Sequence, residues 1–155
     1  MIADTTVGAG DVDLERLYRD EIRKLAASIR VDRRLKTPDF TATKRGRFCG
    51  SEVSIDGKLS PARCLTQLGF RTRACSLGMA ATAIVAQNAP GCALADIEAL
   101  RDLVQDRLAG KDRPPPDAWR QLRLFDAARP VVGLHASILL PFDALIDGFK
   151  SVADR

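Results

Sequence analysis

Three residues stand in settings where thiol or imidazole chemistry is easy. Cys49 lies in the run Phe48-Cys49-Gly50-Ser51, and a glycine beside a cysteine lets backbone amides approach the sulfur. Cys75 lies in Arg71-Thr72-Arg73-Ala74-Cys75-Ser76-Leu77-Gly78, at a change from strand to helix pattern. There the free N–H groups of a helix start and the cation of Arg73 are expected to favour thiolate. His135, the single histidine, opens the last helical pattern in Gly133-Leu134-His135-Ala136-Ser137. One histidine alone makes no metal site, but two activated thiolates and an imidazole form a reasonable donor set for a borderline or soft metal. The other reading of Cys49 and Cys75 is the interior position that free cysteine often takes, and that of His135 a helix-terminal histidine. Cys64 falls on an apolar strand face and Cys92 follows a Pro-Gly turn, so both read as structural.

The elements that must position these residues follow from periodicity. Leu14, Leu17, Tyr18, Ile22, Leu25 and Ile29 recur at helical spacing after Asp13, and Thr37-Pro38-Asp39 ends the basic stretch that follows. Phe40 to Arg47 reads as a strand, and Glu52 to Ile55 as a second with Val53 and Ile55 on one face. Asp56-Gly57 is a preferred dipeptide for a tight hairpin turn. A third strand is expected with Ala62, Cys64, Thr66, Leu68 and Phe70 on one face. Helices are expected over Cys75 to Asn88 and from Ile97 to Leu108, with a short one capped by Asp117 that carries Trp119, Leu122 and Phe125. The last runs from His135 to Phe149, with Pro141 at a kink or a first turn. Contiguous strands followed by helices predict an α+β fold, a three-stranded antiparallel sheet with helices packed on one face. Residues 11–152 are expected to form a single domain and residues 1–10 a flexible N-terminus.

Composition narrows the function classes. The chain has 155 residues, a net charge of +4 and 46% hydrophobic residues, ordinary for a globular domain. Aromatic residues make up only 5% and do not cluster, which argues against a base-stacking platform, and the basic residues from Arg30 to Arg47 match no nucleic-acid motif. No membrane association is expected, because the longer apolar runs are interrupted by charge or proline. The first residues show no basic and apolar leader pattern, so a cytoplasmic location is expected, with the cysteines as thiols or metal ligands. None of them forms a C-x-x-C pair.

The order of these features resembles the NifU/IscU family of iron–sulfur cluster assembly scaffolds. Cys-Gly at a strand start, a hairpin, a cysteine at a helix start and a late His-Ala opening the final helix carry the resemblance, from Leu17 to Phe149. Cys49 and Cys75 are 26 residues apart, as the first two family cysteines are. The long interval from Cys75 to His135 is more similar to the SufU-type branch than to IscU proper. The departures are equally clear. The family's Cys-Gly-Asp reads Cys49-Gly50-Ser51, its third cysteine falls at Ala136, and its Leu-Pro-Pro-Val-Lys chaperone motif is absent.

The resemblance implies a binding protein more than an enzyme. It implies that Cys49, Cys75 and His135, with Ser51 as a weak fourth donor, hold iron or a nascent [2Fe–2S] cluster. A cluster takes four donors, so solvent, a homodimer partner or a small thiol would complete the set. The implied partners are a cysteine desulfurase, as sulfur donor, and apo iron–sulfur proteins. Two alternatives stay open at this point: a zinc-dependent sulfur acceptor of the SufU kind, and a degenerate regulatory or interaction module of the same pathway.

Overall fold

A computed structural model describes residues 20–47 and 50–153. Cys49, the start of the first helix around Leu14 and Leu17, and the ten N-terminal residues lie outside the described residues. Helix α1 (Glu21–Ser28) precedes three strands, β1 (Phe40–Arg45), β2 (Glu52–Leu59) and β3 (Leu65–Arg73). Then come α2 (Ser76–Asn88), α3 (Leu94–Leu108), a 3-10 segment (Asp117–Ala128), a short 3-10 turn (Val132–Leu134) and α4 (His135–Ser151). The strands pair antiparallel in the order β1-β2-β3, so the α+β architecture read from the sequence is the one observed.

Strand alternation sorts the two faces of the sheet. Val53 and Ile55 point into the helix layer and are fully buried. Phe40, opposite Gly57, reaches the same layer and packs its ring against Phe149 of α4 at 5.6 Å between centroids. A Cβ on Gly57 or on Gly148 would overlap the Phe40 ring. Two glycines, one on the sheet and one on the helix, therefore clasp a single aromatic side chain. The other face carries Thr43, Ser54 and Asp56, and residues 33–35 cross it. Arg33 and Phe70 exchange backbone hydrogen bonds of 3.0 and 2.8 Å, and a Cβ on Gly69 would lie 2.7 Å from the Arg33 carbonyl oxygen.

Asp56-Gly57 is not a turn. It lies inside β2, which runs on to Leu59, and the hairpin forms at Ser60–Cys64 instead. Asp56 holds this geometry through long-range bonds. Arg34 Nε donates to it at 2.8 Å, Arg34 Nη2 at 2.9 Å, Thr41 Oγ1 at 2.6 Å and the Leu35 amide at 3.0 Å. In the true turn Arg63 adopts φ 64° and Ser60 Oγ accepts the Cys64 amide at 3.1 Å. An irregularity at Lys58/Leu59 shifts the register, so β3 begins at Leu65 and Thr66 is exposed. The predicted grouping of Cys64 and Thr66 with Leu68 and Phe70 therefore does not hold.

The helix layer is built around α4, which packs on β1, β2, α2 and α3. Residues Val132–Ser151 have the length and composition of a membrane span, with mean hydropathy 1.3. Ile138, Phe142, Leu145 and Phe149 are nonetheless buried against the sheet and the neighbouring helices, as in a core helix. Pro141 sits well inside α4, beyond the first turn. It cannot donate to the Ser137 carbonyl, and that oxygen instead faces Gly78 of α2. The Trp119 region is 3-10 and starts at Asp117 itself, with Pro116 before it and a break at Trp119 (φ −111°, ψ 19°). Arg107 of α3, buried, pairs with Asp126 and donates to the Arg113 carbonyl at 2.6 Å, which fastens this segment to the body.

Candidate functional site

β3 ends at Arg73 and α2 begins at Ser76, so Cys75 is carried directly from the sheet onto a helix N-terminus. It occupies the N-cap with extended backbone (φ −66°, ψ 169°), is half-buried, and its carbonyl accepts the first helical bond from Met79 at 2.9 Å. The first-turn N–H groups that follow have no intrahelical acceptors and create a positive field at the sulfur's end of the helix.

His135 is the first residue of α4. Its Nε2 lies 2.9 Å from the Ala128 carbonyl oxygen, which can only accept, so Nε2 carries the proton. Nδ1 is then the nitrogen with a lone pair to offer, the arrangement usual for a metal-binding imidazole oriented through its other nitrogen. The two helix starts lie side by side. A Cβ on Gly78, in the first turn of α2, would meet Ala74 Cβ at 2.9 Å and the Ser137 carbonyl oxygen of α4 at 3.4 Å. Only glycine permits so close an approach, and it draws the Cys75 and His135 ends together.

The start of β2 arrives at the same place, because Glu52 pairs with Arg73. Gly50 takes φ +66°, a conformation that favours glycine, and Ser51 is buried at 2% exposure with its carbonyl accepting the Gly46 amide at 2.7 Å. Cys49 precedes this pair. Among the described residues no three His, Cys, Asp or Glu side chains converge on a metal-sized site.

Arg73, expected to act on Cys75, is engaged by Asp32: its Nη1 donates at 3.0 Å and its Nη2 at 3.3 Å, while Arg71 lies 3.8 Å from the same carboxylate. The Arg73 hydrogen bond holds the Asp32 carboxyl below its ordinary range, with the charges of Arg73, Arg71 and Arg34 assisting. Cys64 and Cys92 are elsewhere. Leu65, next to Cys64, donates its amide to the Cys92 carbonyl at 2.8 Å. Burial pushes the Cys92 thiol up, as do the charges of Asp96 and Cys64. The length of β3, roughly 30 Å at about 3.3 Å per residue, separates this pair from Cys75. Neither thiol is therefore at the Cys75 end of the sheet.

One residue of this end escaped the sequence reading. Thr72, opposite Val53, is 4% exposed and its Oγ1 has no hydrogen-bond partner. The available signal was its parity with buried Phe70, which puts a hydroxyl on the core face of β3 just before Cys75.

The architecture has close parallels among solved structures. A nitrogen-fixing NifU-like protein (N-terminal) from Brucella abortus matches with TM-score 0.84 and 26% identity, over 92% of this chain and 99% of that one. A protein assigned as an iron–sulfur cluster assembly scaffold for the SUF system, from Fervidobacterium islandicum, matches with TM-score 0.78 and 14% identity, over 88% and 98%. No family model and no curated protein sequence matches the chain.

Proposed function

We propose that this chain, whose fold is that of the NifU/IscU-type iron–sulfur cluster assembly proteins, acts as a scaffold-like carrier of iron and sulfur. The observation that carries the reading is the convergence, within that fold, of the Cys75 helix start, the His135 helix start and the Gly50-Ser51 strand start at one end of the sheet. Iron, or a nascent [2Fe–2S] cluster, is the cargo. Cys75 and Cys49 supply thiolate donors and His135 supplies Nδ1, a mixed set that suits iron. Helix N-termini favour the anionic sulfur at this end.

The sulfur comes from a cysteine desulfurase and the cargo passes to apo iron–sulfur proteins. Ser51 and Ala136 replace a carboxylate and a thiol, so the donor set stays short and the cargo is held for transfer. A small thiol, or a second copy of the chain, completes the coordination while the cargo is resident. A zinc-dependent sulfur acceptor is the weaker reading, because it loses more from those two replacements.

Iron and acid-labile sulfide, measured after anaerobic purification or reconstitution, test the proposal. Wild type is expected to carry both, and Cys49→Ser, Cys75→Ser and His135→Ala each to lose them. Zinc without sulfide would favour the acceptor, and an empty wild-type site would overturn the scaffold reading.

A further inference from the structure

Among the described residues, buried polar side chains are matched to partners with one exception. Asp56 is satisfied by Arg34, Thr41 and Leu35, Ser54 bonds Thr43 at 2.7 Å, and Thr82 donates to the Gly78 carbonyl at 2.8 Å. Among the described residues only Thr72 Oγ1 is buried with no partner. A buried hydroxyl left in that state is destabilising, and valine of nearly the same shape would avoid the penalty. Its position argues against accident. Thr72 shares the helix-covered face with Val53, one residue from the last β2–β3 pair and three before Cys75. It stands at the sheet end where the first turns of α2 and α4 meet.

We propose that Thr72 is a positioning residue for the cargo, its hydroxyl donating a hydrogen bond to a sulfur of the loaded site, thiolate or sulfide. The inference rests on the scaffold reading above and deepens it. Sulfur ligands of iron accept such bonds, and donors aimed at them govern how firmly a cluster is held and at what potential it is reduced. The hydroxyl lacks a partner in the free protein and gains one when the site fills, so loading relieves its destabilisation. Thr72 then favours the loaded state over the free one without ligating the metal.

The test compares wild type, Thr72→Val and Thr72→Ser, first unloaded and then reconstituted anaerobically with ferrous iron and sulfide. Unloaded Thr72→Val is expected to unfold at the wild-type temperature or a few degrees above it. Loaded Thr72→Val is expected to lose iron to a chelator about tenfold faster than wild type, with shifted visible charge-transfer bands, and Thr72→Ser to restore both. Thr72→Ala carries the comparison if valine does not fold. A raised unfolding temperature with unchanged retention and spectrum would overturn the proposal, as would a lowered unfolding temperature in the unloaded protein. Failure of serine to rescue would overturn it too. A wild type that takes up neither iron nor sulfide removes the scaffold reading and this inference together, whereas a loaded wild type indistinguishable from Thr72→Val removes the inference alone.

Discussion

Asp56 shows how a single residue can settle a strand. Its carboxylate is 1% exposed and receives four hydrogen bonds from Arg34, Thr41 and the Leu35 amide. Burial works to raise its pKa, but the bonds from Arg34, Thr41 and Leu35, with the Arg34 charge, outweigh burial and leave it below the ordinary value of 3.8. Because the folded value is the lower one, the stabilisation is complete well above 3.8 and drains away as pH falls through the folded pKa. Asp56→Ala is expected to cost about 2–4 kcal/mol at neutral pH, since it leaves Thr41, Leu35 and a partly buried guanidinium without their acceptor. Urea unfolding at pH 7 and at pH 3 checks this, and the difference between variant and wild type should shrink at the lower pH. The dipeptide Asp56-Gly57 read as a turn because local preference is all that a short window contains. The deciding partner, Arg34, lies 22 residues away. The helix-start positions of Cys75 and His135 were legible because a helix start is a local event. The unpartnered hydroxyl of Thr72 was not, because a missing partner is a property of the assembled core.

At the scale of elements, the contact of β1, β2 and α4 depends on space as much as on attraction. Phe40 enters between Gly57 and Gly148, and neither backbone can carry a side chain without moving the ring. Gly57→Ala and Gly148→Ala are each expected to destabilise by about 1–3 kcal/mol through overpacking. In combination with Phe40→Leu either alanine should cost less than it does alone, because the smaller side chain yields the space. Denaturant unfolding of the single and double variants measures that coupling, and strict additivity would show that the clasp is not the cause. The same contact explains which elements were legible. α2 and α4 follow apolar patterns long enough to declare themselves, and three strands were counted correctly. The hairpin was displaced because β2 is buried on both faces through its middle, so the polar Asp56 no longer marks a surface turn. The 3-10 segment read as an ordinary helix because Trp119, Leu122 and Phe125 keep helical spacing, although the backbone breaks at Trp119.

Across the whole molecule, the positive charge is placed unevenly, and that placement bears on how a sulfur donor would dock. Arg45, Arg47, Arg71 and Arg73 gather at the end of the sheet that carries Cys75, and all four are exposed. The ion pairs there use two carboxylates: Glu52 pairs Arg45 at 2.6 Å, and Asp32 serves both Arg71 and Arg73. Asp32 stays ionised to lower pH than an ordinary carboxyl, so its share of the balance persists across the neutral range. Among the described residues a positive surplus remains beside the thiol, and Val31 at 81% and Val132 at 74% exposure are the large hydrophobic side chains most open to solvent. If the chain accepts sulfur as proposed, an anionic donor surface would be drawn to this end by long-range attraction and then seated on short-range contacts. The association rate with a cysteine desulfurase is therefore expected to fall about tenfold between low salt and 0.5 M salt, at which the screening length is only about 4–5 Å. Arg71→Glu with Arg73→Glu should lower the low-salt rate by a similar factor and flatten its salt dependence. The dissociation rate should change much less, because steering acts on encounter. Stopped-flow association across a salt series separates the two rates. A salt-insensitive rate in wild type would assign docking to apolar contacts such as Val31 and Val132, and Val31→Asp would then be the variant that weakens it.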